Sequence, residues 1–454
     1  MTRNNSTTLA PVNTLPPEML ARVFVLSKPY CSRRDDDGID FHDLAAVCSY
    51  WRRVAINTPE LWVHIDIGPS TPIGFTELLL KRARDSSIYI HLNEANTSEP
   101  KPISMEKIDQ TMRLFSRHLH HISVLDINSE NSFPDFITRT LNTWLECSGK
   151  DSPRSLMVYF PNANSVQSFS DALEAEPLNA AEILRLVTTV HLENICFDWN
   201  SQIYWNMTDL RLVFSCSKGD FPISTMEFTE ILMASPELET LKLENLEIFE
   251  TENWGRGPIT MNRLGVLNLV RMDPDCLQLL LPLITLSGPL PEISLGITVS
   301  SQMRDEFEAF LVRSKVTTLY CTEQEDSYSE SFSLPSRQLL GDLCILVLDS
   351  VSIAEIMSGG ASRRTSQPSP HPLSTTLLYC TVNLDTLKAF IFDYDIQALR
   401  FEICQLDPVA ENDFQDLSGL RYSLLKTFPE LDCTISDVGS AWDLACCKMY
   451  ESPI

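Results

Sequence analysis

Leu15-Pro16-Pro17-Glu18-Met19-Leu20-Ala21-Arg22-Val23-Phe24 is the first of three apolar runs near the start of the chain; Asp43-Leu44-Ala45-Ala46-Val47-Cys48-Ser49-Tyr50-Trp51-Arg52-Arg53-Val54-Ala55 and Thr58-Pro59-Glu60-Leu61-Trp62 follow. In the first, Leu15, Met19, Val23 and Leu26 recur at three- and four-residue spacing with Leu20 and Phe24 beside them, which predicts a helix with a broad apolar stripe. Thr14 is placed to cap it, the prolines fit a first turn, and Glu18 complements the positive helix end. The second run predicts a helix with Phe41, Leu44, Ala45, Val47, Cys48, Trp51, Val54 and Ala55 on its apolar side, Asp40 as cap and Pro59 as its stop. A unit of about fifty residues buries too small a fraction of its surface to be stable alone. Each large side chain left uncovered forfeits about 1.5–3 kcal/mol. These helices therefore need a cover, from their own chain or from a partner.

Beyond them one theme recurs: an amphipathic helix, a polar turn, then a short strand. Phe75 to Ala83 leads to Ile88-Tyr89-Ile90-His91-Leu92, and Leu141 to Cys147 leads to Leu156-Met157-Val158-Tyr159-Phe160. Phe228 to Pro236 leads to Leu241-Lys242-Leu243, Phe307 to Ser314 leads to Leu319-Tyr320-Cys321, and Leu387 to Ile391 leads to Leu399-Arg400-Phe401. The same apolar-x-apolar core marks strands at Leu125–Ile127, Val190–Leu192, Leu210–Leu212, Leu267–Leu269, Ile293–Leu295 and Leu346–Leu348. In each, the outer two residues are expected to face a core and the middle one to face away. The middle positions are Asp126, Tyr159, His191, Arg211, Lys242, Asn268, Ser294, Tyr320 and Arg400. They are the candidate target-binding face, with Arg211, Lys242 and Arg400 as a positive exception suited to an acidic or phosphorylated peptide.

Two resemblances emerge from these residues. Leu-Pro-Pro-Glu-Met-Leu-x-x-Val-Phe, Leu-x-x-Val-Cys-x-x-Trp-Arg-x-x-Ala and Pro-x-Leu-Trp together resemble an F-box, and more narrowly the F-box-like proteins abundant in mushroom-forming fungi. The loop from Leu26 to Phe41 is longer than in compact F-boxes. The resemblance implies docking onto the Skp-type adaptor of an SCF (cullin–RING) ubiquitin ligase through Leu15, Pro16, Leu20, Val23, Phe24, Leu44, Val47, Cys48, Trp51 and Leu61. The downstream units, as in Leu241-Lys242-Leu243-Glu244-Asn245-Leu246, resemble degenerate leucine-rich repeats, in which no unit buries its apolar face without neighbours. The expected fold class is α/β: a short all-helical F-box followed by a leucine-rich-repeat solenoid of alternating helices and short strands. The expected divisions are a disordered terminus at 1–13, the F-box-like domain at 14–66, the repeat array at 67–410 with a flexible loop at 357–374, and a C-terminal cap at 411–454.

Charge and composition narrow the function. Lys+Arg 35 against Asp+Glu 61 gives a net charge of −26, which repels phosphate backbones and anionic lipids, so neither nucleic acid nor membrane is an expected partner. The polar start of the chain carries no apolar core of a secretory signal, and the greasiest run, Cys276 to Leu286, is short and interrupted by Pro282, so an intracellular protein, cytoplasmic or nuclear, is expected. The 13 cysteines lack Cys-x-x-Cys spacing and read as free, mostly buried thiols. No phosphate loop, nucleophile elbow, zinc-protease helix or dinucleotide fingerprint occurs, so neither catalysis nor a cofactor is expected. His118, His120 and His121 cluster without the spacing of a metal site, and Asp35-Asp36-Asp37-Gly38 has the wrong residues at both ends for a calcium loop. Met357 to Ser374 is rich in Gly, Ser and Pro, and Arg363-Arg364-Thr365-Ser366 resembles a basophilic kinase site at Ser366. The expectation is a non-catalytic substrate receptor that joins an unidentified protein target to the ligase; the alternative is a leucine-rich-repeat scaffold with no ubiquitin-ligase link.

Overall fold

The computed structural model describes residues 11–27, 41–93, 104–129, 134–147, 154–161, 166–169, 180–215, 221–251, 258–286, 293–299, 303–323, 334–358, 372–406 and 416–436. The Asp35-Asp36-Asp37-Gly38 turn, Ser366 with most of the 357–374 loop, and the chain after 436 lie outside these residues. Two compact units emerge, one of Met1–Asn162 with Phe169–Val187, the other of Ala163–Ser168 with Thr188–Ile454.

The first unit opens with a 3-10 turn at Pro11–Thr14 and helices α1 (Pro17–Ser27), α2 (Phe41–Val47) and α3 (Ser49–Ile56). The run from Phe41 to Ala55 is thus two helices, where the sequence predicts one. The break falls at Cys48, whose extended backbone caps α3 while its sulfur accepts a hydrogen bond from Trp51 N at 3.4 Å. After the Pro59–Leu61 turn the chain alternates strand and helix: β1 (His64–Ile67), α4 (Ile73–Ala83), β2 (Ile88–Asn93), α5 (Met105–His118), β3 (Ile122–Asn128), α6 (Pro134–Cys147), β4 (Ser155–Tyr159) and α7 (Ala180–Leu184). β1 to β4 pair in chain order, all parallel, as helical crossovers require. Ile65, Ile90, Leu125 and Leu156 form one buried row across the four strands. The sheet begins inside the stretch expected to be wholly helical, because Ile65 and Ile67 alternate with polar neighbours.

The second unit repeats that plan: β5 (Thr189–Glu193), β6 (Asp209–Val213), α8 (Thr225–Ala234), β7 (Thr240–Glu244), β8 (Val266–Leu269), α9 (Pro274–Leu280), β9 (Ile293–Val299), α10 (Arg304–Arg313), β10 (Val316–Glu323), β11 (Ile345–Asp349), α11 (Ile353–Ser358), β12 (Leu373–Leu378), α12 (Leu384–Tyr394), β13 (Ile396–Glu402), α13 (Leu417–Thr427) and β14 (Asp432–Ser436). β5 to β14 form a long parallel sheet in which neighbouring strands follow one another in chain order. Val190, Leu210, Leu241, Leu267, Leu295, Leu319 and Leu346 make one continuous buried row. The segment expected to be a terminal cap supplies one more helix and strand, α13 and β14.

A turn device accompanies the strands. Asn194, Asn245, Arg271, Ser350, Tyr379 and Ile403 stand just past β5, β7, β8, β11, β12 and β13, all with left-handed backbone. Each precedes a buried residue: Ile195, Leu246, Met272, Val351, Cys380 and Cys404. A left-handed residue turns the chain sharply out of the strand, and Asn tolerates it best after Gly. Asn245 also uses its side chain, whose Nδ2 donates to Phe214 O at 2.7 Å.

Candidate functional site

The N-terminal helices form a small core of their own. Leu20 and Phe24 project inward from α1 and are fully buried, and the Phe24 ring centroid lies 4.9 Å from that of Trp51 on α3. Tyr50 Oη donates to Leu15 O at 2.7 Å, and Arg52 Nε donates to Ala45 O at 2.9 Å, tying α3 to the start of α1 and to α2. The Pro59-Glu60-Leu61-Trp62 segment joins the helices to the sheet. Leu61 and Trp62 are buried, Trp62 Nε1 donates to Ala55 O at 2.8 Å, and the Arg82 guanidinium of α4 stands 4.3 Å above the Trp62 ring.

The residues with adaptor-docking roles by resemblance therefore separate by position. Leu20, Phe24, Leu44 and Leu61 lie in the core; Leu15, Cys48 and Trp51 are half-buried; Pro16, Val23 and Val47 are exposed. α1 presents a second apolar face: Met19 is 56% exposed, Val23 46% and Leu26 61%, on a stripe that begins at Pro16. Val47, at the end of α2, is 60% exposed. Apolar residues spaced three and four apart and left in water on one helix are the usual mark of a contact surface.

The middle positions of the second unit's strands fall into one register row: His191, Arg211, Lys242, Asn268, Gly296, Tyr320, Val347, Thr376, Arg400 and Thr434. Gly296 takes the place expected for Ser294, which pairs with Val266 two residues earlier on that face. In the first unit Asp126 aligns with His91 and Met157, while Tyr159 aligns with Asn128, one step further along the face.

The row is not a set of bare charges. Arg211 reaches Asp209 in a two-pronged pair, Nε to Oδ1 at 2.9 Å and Nη2 to Oδ2 at 2.8 Å, and His191 Nε2 lies 3.2 Å from Asp209 Oδ1. Burial pushes the Asp209 carboxyl up, but His191 and Arg211 outweigh it and hold the group below the usual carboxylate range. Lys242 Nζ meets Glu244 at 3.3 Å, and Glu244 also accepts from Arg271 at 2.9 Å. Burial pulls the Lys242 ammonium down, against the opposing pull of Glu244. Arg400 Nε lies 2.6 Å from Glu402, and Tyr320 Oη donates to Asp349. Asn268 folds back to accept from Val270 N at 3.0 Å. His191, Arg211, Lys242, Asn268 and Tyr320 are all buried, while Tyr159 and Arg400 are half-buried.

The carboxylates of this network were within reach of the sequence. Asp209-Leu210-Arg211, Lys242-Leu243-Glu244 and Arg400-Phe401-Glu402 place opposite charges two residues apart, which on a strand is the same face. In the first unit Tyr89 Oη donates to Asp126 Oδ2 at 2.5 Å, and His91 Nδ1 lies 3.0 Å from Asp66. The His120 and His121 rings lie 3.9 Å apart, and burial, then His121, His120 and Arg117, pull His118 down. Among the described residues no three His, Cys, Asp or Glu side chains are grouped to hold a metal ion, and no helix is long and apolar enough to cross a membrane.

Residues 12–68 match the F-box-like family model, a span that takes in α1, α2, α3, the Pro59–Leu61 turn and β1. No curated protein matches the chain.

Proposed function

We propose that this F-box-like domain makes the chain a non-catalytic substrate receptor of an SCF-type ubiquitin ligase, working in the cytoplasm or nucleus. The observation that carries the reading is the free apolar stripe Met19, Val23 and Leu26 on an F-box-like helix whose other face, Leu20 and Phe24, already packs on its own chain. The Skp-type adaptor would cover that stripe together with Pro16 and Val47. The buried members of the motif, Leu44 and Leu61 among them, would fix the helices that present it.

Downstream, the reading is a degenerate leucine-rich-repeat solenoid. Its support is the succession of parallel strands in chain order, the leucine row and the recurring left-handed turn. The target would be held along the face that carries Tyr159, His191, Arg211, Lys242, Asn268, Tyr320 and Arg400. Because Arg211, Lys242 and Arg400 already meet carboxylates of their own strands, that face is better suited to hydrogen bonding than to gripping an acidic peptide by charge alone. Ser366 is proposed as a phosphorylation site on the same receptor.

A scaffold without ligase contact is the second reading, favoured by the self-contained packing of Leu20, Phe24 and Trp62. Co-expression with a Skp-type adaptor separates the two. A receptor co-elutes with the adaptor and loses it when Met19 and Val23 become Asp; a scaffold shows no complex.

A further inference from the structure

Two cysteines occupy the buried position after the left-handed turn in consecutive repeats. That position holds Ile195, Leu246, Met272 and Val351 elsewhere, so packing there demands an apolar side chain and not a thiol. At Cys380 and Cys404 it holds a thiol twice running. The strand pair that follows is in register, Thr381 with Gln405 and Val382 with Leu406, and Gln405 N donates to Cys380 O at 3.0 Å. The two cysteines are therefore direct neighbours across adjacent parallel strands. Strands lie about 4.7–4.9 Å apart, and a disulfide spans Cα separations of about 4.4–6.8 Å. Both are free thiols here.

We infer that Cys380 and Cys404 form a reversible thiol–disulfide pair that is oxidised by hydroperoxides within the folded protein. The two sulfurs are not equivalent. Cys380 is 1% exposed and its thiol donates to Leu348 O and Leu378 O, both at 3.3 Å; Cys404 is 8% exposed and its thiol meets Leu377 O at 3.1 Å and Glu402 O at 3.5 Å. The hydrogen bond from Cys380 pulls the Cys404 thiol down, and the same bond, with burial, pushes Cys380 up. In this scheme the more exposed sulfur, Cys404, attacks and the fully buried one, Cys380, resolves. Cys404 thiolate attacks one oxygen of the hydroperoxide, the O–O bond breaks, and the other oxygen leaves with a proton as water or alcohol. Cys404 is now a sulfenic acid. Cys380 sulfur attacks the Cys404 sulfur, the S–S bond forms as the S–O bond breaks, and the Cys380 proton leaves with the hydroxide as water. Two electrons pass from the sulfurs to the peroxide. The bond would staple the turns after β12 and β13, whose residues Tyr379 and Ile403 stand exposed.

The test is limiting hydrogen peroxide on the folded full chain, followed by alkylation and peptide mass mapping. The expected product is a Cys380–Cys404 cross-link that a dithiol reverses. Cys380→Val, a residue the equivalent position 351 already accommodates, should remove the cross-link and raise dimedone labelling of Cys404 several-fold. A folded wild type that yields no such cross-link overturns the inference, as does Cys404 labelling that Cys380→Val leaves unchanged.

Discussion

At the scale of single residues, the charged row on the sheet face is the most informative feature. Glu244 serves two cations, Lys242 and Arg271, and is itself buried. Removing one partner of a buried pair costs about 3–5 kcal/mol, whereas replacing a buried ion by a well-packed apolar group is often neutral. Glu244→Ala should therefore lower the urea midpoint strongly, and Lys242→Met, which leaves Glu244 with Arg271, should move it little. Asp209 supplies a pH dependence of definite sign. Its folded-state pKa is depressed, so its contribution is complete above the ordinary carboxylate range and is lost as pH falls through the folded value. Urea titrations at a series of pH values should show Asp209→Asn far below wild type near neutrality, with the gap closing in acid.

The left-handed turns supply a prediction of the opposite sign. Ile403 holds φ 51°, a conformation that β-branched residues disfavour, and it is 41% exposed. Ile403→Gly should raise stability by about 0.5–1 kcal/mol, measured by the shift in thermal midpoint, since the backbone strain it relieves outweighs the partial burial it gives up. The middle-strand residues were legible from alternation alone. Their burial was not, because alternation says which way a side chain points and nothing about what lies beside it. The charge pairs at i and i+2 carried that second message.

At the scale of elements, the eleven apolar-x-apolar cores read from the sequence, from Ile88–Leu92 to Leu399–Phe401, all fall on strands of the parallel sheets, with Phe160 one residue past the end of its strand. The unread strands have physical reasons. β1 sits in a stretch dominated by helix signals, β12 carries Thr375 where its neighbours carry Leu346 and Leu399, and β14 presents Cys433 and Ile435 among polar neighbours. α5 went unread too, since its buried Ile108, Met112 and Phe115 are spread among charged residues. The split at Cys48 was invisible to periodicity, because a thiol cap leaves no strong signature. α1 was read as one broad stripe, and its two faces do different things. Leu20→Ala should cost about 2–5 kcal/mol through the cavity left in the helical core, read from a urea titration. Met19→Asp and Val23→Asp, at exposed positions, should leave that titration nearly unchanged.

At the scale of the whole molecule, an F-box-like domain precedes a long run of helix–strand units, and the proposed division of labour follows: one part meets the ligase, the other a target. The most direct measurement is co-purification of the full chain with a Skp-type adaptor, for wild type and for the Met19→Asp, Val23→Asp double variant, each with its thermal midpoint. The receptor account predicts a stoichiometric wild-type complex, and a double variant that melts like wild type and elutes alone. A wild type that elutes alone, or a folded double variant that retains the adaptor as well as wild type does, would contradict it.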